Sequence, residues 1–309
     1  MMTRKIIYTL MYAMRMRSRF AVGAAELVRD RSAGGIFLLS AKDVDVSRSP
    51  FVKAKVRVLY DGVSLESIIR QLGGLEPGGA SFKVVFVEAE LKLPYEEKLQ
   101  VEREVGANIG GRADMRKPEK LYGIAYALGR WRFGEYTRND AVWLRHKDKP
   151  QNYSTALSTR MARAAANIAV PDPAGIKAID PCCGIGTVLI EAHSMGIDIV
   201  GCDMNPLAVQ GARANLAHFG FPGVVELKDM KELSGRYDAA ILDLPYNLCS
   251  VISEAEQLSM LQSARRLAGR AVIITTEPID SLIESAGFRI HDRCAVRKGS
   301  FSRQLIVCQ

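Results

Sequence analysis

None of the six cysteines in this chain stands in a C-x-x-C pair. Cys182, Cys183, Cys202, Cys249, Cys294 and Cys308 all fall in the second half, among apolar residues. That placement argues against a structural metal site and against a disulfide framework. It reads as reduced thiols buried in a cytoplasmic protein. No apolar run approaches the ~20 residues of a membrane span. The opening "MMTRKIIYTLMYAMRMRSRF" lacks the layout of a secretory leader. Arg15, Arg17 and Arg19 close its apolar run after about nine residues, and no small-residue cleavage site follows. Internal repeats and low-complexity tracts are missing too, and nothing in the sequence calls for an oligomer, so a monomer is the simplest reading.

Acidic residues are short in the first half only. Residues 1–150 hold 27 Lys+Arg against 18 Asp+Glu, a balance of +9, whereas residues 151–309 hold 15 against 16, a balance of −1. The whole formal charge of +8 therefore sits on the first half. A basic module beside a near-neutral one suits electrostatic docking of a nucleic acid. A solvated basic face is the plainer alternative.

The pattern along the chain supports this division. "KIIYTLMYA", "GIFLLS", "FVKAKVRVLYDG" and "SFKVVFVEAEL" read as strands, and "FAVGAAELVRD" and "SLESIIRQLGG" as helices. Ser64 and a nearby Glu start the second helix, and Gly73-Gly74 end it. This order suits a ferredoxin-like α+β module over residues 1–135. Residues 105–150 interleave Arg and Lys with aromatics and glycine, a mixture that contacts bases and phosphates or simply packs as a connector. Arg112, Arg116 and Lys117 are its candidate substrate contacts, and residues 136–153 are the expected connector. From residue 154 to 309, helices and apolar strands alternate, which predicts a mostly parallel, doubly wound sheet.

The chemistry concentrates at the predicted strand ends of this second half. "AIDPCCGIGTVLIEA" (178–192) is a strand, a glycine loop and a helix. Asp180 ends the strand, Gly184 and Gly186 admit a ligand close to the backbone, and Thr187 can cap the helix. Leu189 stands where G-x-G-x-x-G has its third glycine, so this is not a dinucleotide fingerprint. An acid just before the loop repels phosphate and suits a cation, such as the amino group of a methionyl moiety. Asp203 ends the next strand, where an acid can accept both hydroxyls of a ribose. Met204 can lie against an adenine. Asp229, followed by Met230, ends the third strand, where a carboxylate can accept from an adenine amine. Any one of these acids could be a cap. Three in succession after a glycine loop define a pocket for an adenosine joined to an amino acid.

"DLPYN" (243–247) falls at the fourth strand end. Asp243 and the carbonyl of Leu244 can hold an exocyclic NH2 group, Pro245 biases Leu244 to an extended backbone, and Tyr246 can stack on a base. Lys298, Ser300 and Arg303 lie in a terminal hairpin that can reach substrate phosphate or remain a solvated basic turn.

Together these stretches resemble class I S-adenosylmethionine-dependent methyltransferases carrying a [DN]-P-P-Y motif. Within them the chain is similar to tRNA guanine-N2 methyltransferases with a THUMP-type RNA-binding region. The resemblance runs from about Tyr153 to the C-terminus and rests on "DPCCGIGTVLIEA" and "GCDMNPLAVQGARANL", with "DLPY" departing from D-P-P-Y at Leu244. It implies a Rossmann-like, mostly parallel seven-stranded sheet behind a smaller ferredoxin-like or THUMP-related α+β domain. It implies S-adenosyl-L-methionine at Asp180, Cys182, Gly184, Gly186, Thr187, Asp203, Met204, Asp229 and Met230. Catalysis falls to Asp243, Leu244, Pro245 and Tyr246, on RNA and above all tRNA. Guanine N2 in rRNA and adenine N6 in DNA or RNA call for the same amine clamp. Covalent cytosine-C5 chemistry is disfavoured because Tyr246 stands where its cysteine nucleophile would be. A nucleic-acid binder with a dead cofactor fold, or a nicotinamide dehydrogenase, fits the acid set less well.

Overall fold

The computed structural model describes residues 6–10, 37–153, 156–245, 252–298 and 301–309. The expected helix "FAVGAAELVRD" and Tyr246 lie outside the described residues, as do Asn247, Cys249, Gly299 and Ser300. Chain contacts divide the protein into two units. The described part of the first comprises residues 6–10, 37–47 and 51–140; that of the second comprises 48–50 and the described residues from 141 onward.

The first unit is built on one six-stranded sheet. Its strands are β1 (Ile6–Leu10), β2 (Phe37–Ser40), β3 (Val52–Gly62), β4 (Phe82–Phe86), β5 (Lys120–Ala127) and β6 (Arg130–Arg138). They lie in the order β2-β1-β3-β6-β5-β4, all antiparallel except the parallel pair β4–β5. Residues 105–138 supply β5 and β6, so residues 136–138, expected in the connector, instead end β6, which lies at the centre of the sheet. Leu128 and Gly129 join these strands with φ of 52° and 69°. Two left-handed residues make the tight turn whose twist matches the flanking strands. Gly134 of β6 lies where a bulge in β3 carries the Arg57 carbonyl over it; a Cβ there would sit 1.9 Å from that oxygen.

Helix α1 (Leu65–Leu72) and helix α2 (Tyr95–Gly106) accompany this sheet. Ser64 caps α1, and the reciprocal partner in the capping box is Ser67, not the neighbouring Glu66. Ile68 and Leu72 of α1 and Val105 of α2 join Phe82, Tyr122 and Phe133 in a buried core.

The second unit carries the expected seven-stranded sheet. Its strands are β7 (Lys177–Asp180), β8 (Asp198–Asp203), β9 (Val225–Leu227), β10 (Tyr237–Asp243), β11 (Ala268–Thr275), β12 (Ile290–Lys298) and β13 (Phe301–Cys308). They run in the order β12-β13-β11-β10-β7-β8-β9. The five strands β7 to β11 are parallel, and β13 and β12 close the far edge antiparallel. Helices α3 (Thr159–Ala169), α4 (Thr187–Ser194), α5 (Pro206–His218), α6 (Glu254–Leu267) and α7 (Asp280–Ser285) link or cover them. Strand order reverses between β7 and β10. A crevice opens at the carboxyl ends of the strands at such a point, and ligands bind there.

Candidate active site

The sheet order turns four separate strand ends into one row. Asp243 ends β10, Asp180 ends β7, Asp203 ends β8 and Asp229 follows β9 by two residues. Because these strands are neighbours and parallel, the carboxylates line one edge in the order 243, 180, 203, 229. Adjacent strands are about 4.8 Å apart, so the row is roughly 15 Å long.

The glycine loop wraps beneath this row. Gly184 donates its amide to Asp203 Oδ2 at 2.8 Å, and Asn205 donates to Asp203 Oδ1 at 2.9 Å. Asp203 is therefore fixed by the loop it helps to hold. Gly186 takes φ 79° and is itself the N-cap of α4. A Cβ at Gly186 would approach the Cβ of Ala212 to 3.2 Å, so glycine there also lets α5 pack closely. This corrects the expectation for Thr187. It does not cap the helix but is its first residue, and its buried hydroxyl has no hydrogen-bond partner among the described residues. Asp229 does cap, accepting from the Lys231 amide at 2.9 Å, which leaves its second oxygen outside that cap.

Asp180 has the least ordinary environment. It is 3% exposed, and the Cys182 amide donates to it at 3.3 Å. Burial pushes its carboxyl well above the usual range; the amide opposes this, and the charges of Asp243 and Asp203 add to it. A cation placed beside Asp180 relieves both the desolvation and the repulsion. The linkage has a definite sign: the folded state holds this proton more tightly than the unfolded chain does. Stability therefore falls as pH rises from the ordinary carboxylate range through the folded-state value. Asp180→Asn is expected to remove this pH dependence, to raise stability near neutral pH by about 1 kcal/mol and to abolish binding of a cationic ligand. Thermal melts across pH, with and without S-adenosylhomocysteine, check all three.

The methionines part ways. Met204 is 73% exposed beside Asp203, available to a flat ring. Met230 is buried in the core with its sulfur 3.5 Å from Cys182 Sγ, so its side chain is wall rather than contact surface. Burial raises the thiols of Cys182, Cys183 and Cys202, the last to about 12. Protonated thiols are poor nucleophiles, so these three are structural.

Beside the row is a cavity of about 770 Å³, lined among others by Tyr153, Gly184, Ile185, Asp203, Leu207 and Pro245. That is within the usual size of a pocket for a cofactor-sized ligand. Sequence reasoning missed its near wall, residues 151–153. Asn215, buried in α5, places that wall. It accepts the Gln151 amide at 2.8 Å, and its amide group donates to the carbonyls of Gln151 and Ile185 at 3.0 and 2.9 Å. One side chain ties wall, glycine loop and helix together.

At the fourth strand end, Asp243 is half-buried, Leu244 is 3% exposed and Pro245 is exposed at the cavity. The Leu244 amide donates to the Ile274 carbonyl at 3.1 Å, extending the β10–β11 ladder one step past Asp243. A proline could not make that bond.

The other substrate candidates are scattered. Arg112, Arg116 and Lys117 are exposed on a loop of the first unit, where Asp114 accepts both the Arg116 and Lys117 amides at 2.9 Å. Those amides hold the Asp114 carboxyl below its usual range. Lys298 closes the β12–β13 hairpin opposite Phe301, and Arg303 is half-buried opposite Val296. Among the described residues no His, Cys, Asp or Glu group is placed to hold a metal ion.

The description "UPF0020: RMKL-like, methyltransferase domain" fits residues 146–291. The chain is 30% identical over 217 residues to a tRNA (guanine(10)-N2)-dimethyltransferase of Methanothermobacter thermautotrophicus, covering 64% of each protein. It is 26% identical over 232 residues to the enzyme of that name from Pyrococcus abyssi, covering 69% of this chain and 70% of that one. The match thus spans just under two thirds of the first relative's length. The crystal structure of TrmN from Thermus thermophilus shares the fold over 99% of both chains, with a TM-score of 0.50 at 16% identity.

Proposed function

We propose that this chain transfers a methyl group from S-adenosylmethionine to the N2 amine of a guanosine in tRNA, a reading supported by the match of residues 146–291 to an RMKL-like methyltransferase domain. The observation that carries this reading is the row Asp243-Asp180-Asp203-Asp229 along one sheet edge, over a glycine loop and beside a cavity of cofactor size.

We assign the donor along this row, of whose four acids Asp203 lines the cavity. Asp229 and the exposed Met204 suit the adenine, Asp203 the ribose hydroxyls, and buried Asp180 the methionyl ammonium. Bound S-adenosylmethionine supplies an electrophilic methyl group on a sulfonium. Asp243 then lies one strand beyond the ammonium site, where its carboxylate and the Leu244 carbonyl accept both N–H bonds of the guanine amine. That aims the nitrogen lone pair along the transfer axis. Methyl transfer to that lone pair would form an N–C bond at the expense of the donor's S–C bond and leave a surplus proton for water to accept. No strong general base is required. We assign the basic first unit, with Arg112, Arg116 and Lys117 on its exposed loop, to the RNA backbone.

The test is incubation with methyl-labelled donor and undermodified tRNA, followed by nucleoside analysis. N2-methylguanosine or its dimethyl form is expected. Label in N6-methyladenosine or C5-methylcytidine would overturn the guanine assignment.

A further inference from the structure

A second cavity lies elsewhere in the same unit. It measures about 420 Å³ and is lined by Lys147, Lys149, Leu157, Ser158, Thr159 and Arg160. Three of these six residues are cationic and none is acidic. The N-terminus of α3 also opens here: Ser158 is its N-cap, accepting the Met161 amide at 3.4 Å, and Thr159 and Arg160 begin the helix. A helix start favours an anion through its amides and its dipole, although that alone would not define a site.

The second observation is Lys149. It is 8% exposed, yet its ammonium has no hydrogen-bond or ion-pair partner among the described residues. The opposing charge that acts on it, Glu191, is already committed, Oε1 to His146 and Oε2 to Arg163, both at 2.7 Å. Burial holds the Lys149 ammonium below its usual range, with Glu191 opposing that shift. Arg160 is half-buried, and its Nε alone is buried without a partner among the described residues. Burying cations without counterions is unfavourable, and an anion in this cavity would offset that cost. The cavity is larger than one phosphate requires and leaves room for an attached sugar.

We propose that Lys147, Lys149, Arg160 and the start of α3 form a phosphate-binding site separate from the donor cavity. In the methyltransferase reading, on which this assignment of source rests, the phosphate is a backbone phosphodiester of the RNA substrate. Lys147 and Lys149 line this cavity, and Gln151, Asn152 and Tyr153, which follow them in the chain, line the donor side. A phosphate seated at Lys149 would register the strand against the site where the base is methylated. A small phosphorylated ligand is the other source of the same chemistry.

The experiment compares the full chain with its Lys149→Met and Arg160→Gln variants, using circular dichroism to verify folding. Arg160→Gln, at a half-buried position, keeps the test open if Lys149→Met does not fold. Affinities for tRNA are measured across salt, and for S-adenosylhomocysteine at fixed salt. The expected result is tRNA binding weakened about 10-fold, a salt slope reduced by about one, and donor-product affinity unchanged. Unchanged tRNA affinity and slope in folded variants that still methylate would overturn the site and leave the proposed function standing. Loss of S-adenosylhomocysteine affinity would overturn it too, by assigning these cations to the donor carboxylate. If the unaltered protein neither binds nor methylates tRNA, the functional reading fails, and inorganic phosphate decides the site. Protection of Lys149 from amine acylation by millimolar phosphate, read by mass spectrometry, would support a small phosphorylated ligand; equal acylation with and without phosphate would overturn the site.

Discussion

Asp243→Ala is expected to bind S-adenosylhomocysteine like the unaltered protein and to lose methyl transfer by about 10²-fold or more. The prediction follows from position. Asp243 ends β10, one strand away from Asp180 and on the side opposite Asp203, so its removal leaves the adenosine contacts intact. What it removes, under the proposed function, is an acceptor that orients the attacking amine. Asp243→Asn separates two contributions. The amide keeps a carbonyl acceptor but loses the charge, so a turnover between those of the Ala variant and the original points to orientation by hydrogen bonding. Single-turnover rates with saturating tRNA, beside calorimetric titration of S-adenosylhomocysteine, make both comparisons. Full activity in the Ala variant would remove Asp243 from the mechanism.

Glu191→Ala is expected to destabilise the protein by about 3–5 kcal/mol, because it breaks a buried ionic cluster from one side. Glu191 and Arg163 are both 0% exposed, and the Arg163 guanidinium lies 5.7 Å from the centre of the Trp143 ring. Arg163 also donates to Ser194 Oγ at 2.7 Å, and His146 Nδ1 meets the other carboxylate oxygen. Without the carboxylate, a guanidinium remains in the core against an aromatic face. The effect reaches function as well as stability. Glu191 is on the helix that follows the glycine loop, and His146 is on the segment leading to residues 151–153. Urea denaturation measures the first effect, and donor-product affinity measured at low temperature, where the variant stays folded, measures the second.

What the sequence revealed, and what it hid, follows from how far each signal reaches along the chain. The acids at 180, 203 and 243 were legible because each ends an apolar run; Asp229, after the mixed stretch "VVELK", was legible only as the next acid in the series that the glycine loop begins. The single-residue role of Thr187 was not, because a left-handed glycine can serve as N-cap itself, and the cap moved one position. Strands β5 and β6 were hidden by composition: Gly, Arg and aromatic residues read equally as the end of the first module or as a connector, whereas pairing with β3 and β4 is a long-range event. The cluster of His146, Arg163 and Glu191 was hidden for a related reason. Charged residues in a helix read as solvated, and only the burial of nearly every side chain of α3 shows that Arg163 has no solvent face to occupy. A basic residue inside an alanine-rich helix without a polar stripe was the available signal. Asn215, three positions from Ala212 on the same packed face, carried even less warning.

Leu244 stands where the resembled D-P-P-Y motif has proline, and the structure shows what the leucine does there. A proline would limit the backbone by its ring; Leu244 is limited by an amide bond to Ile274 and by a side chain anchored in the core. Both devices remove conformational entropy from the same peptide unit. In this chain the rigidity of the proposed amine clamp is therefore borrowed from the sheet. Its amide should exchange hydrogen for deuterium as slowly as the central strands do, so the first half of the motif belongs to the folding core rather than to a loop.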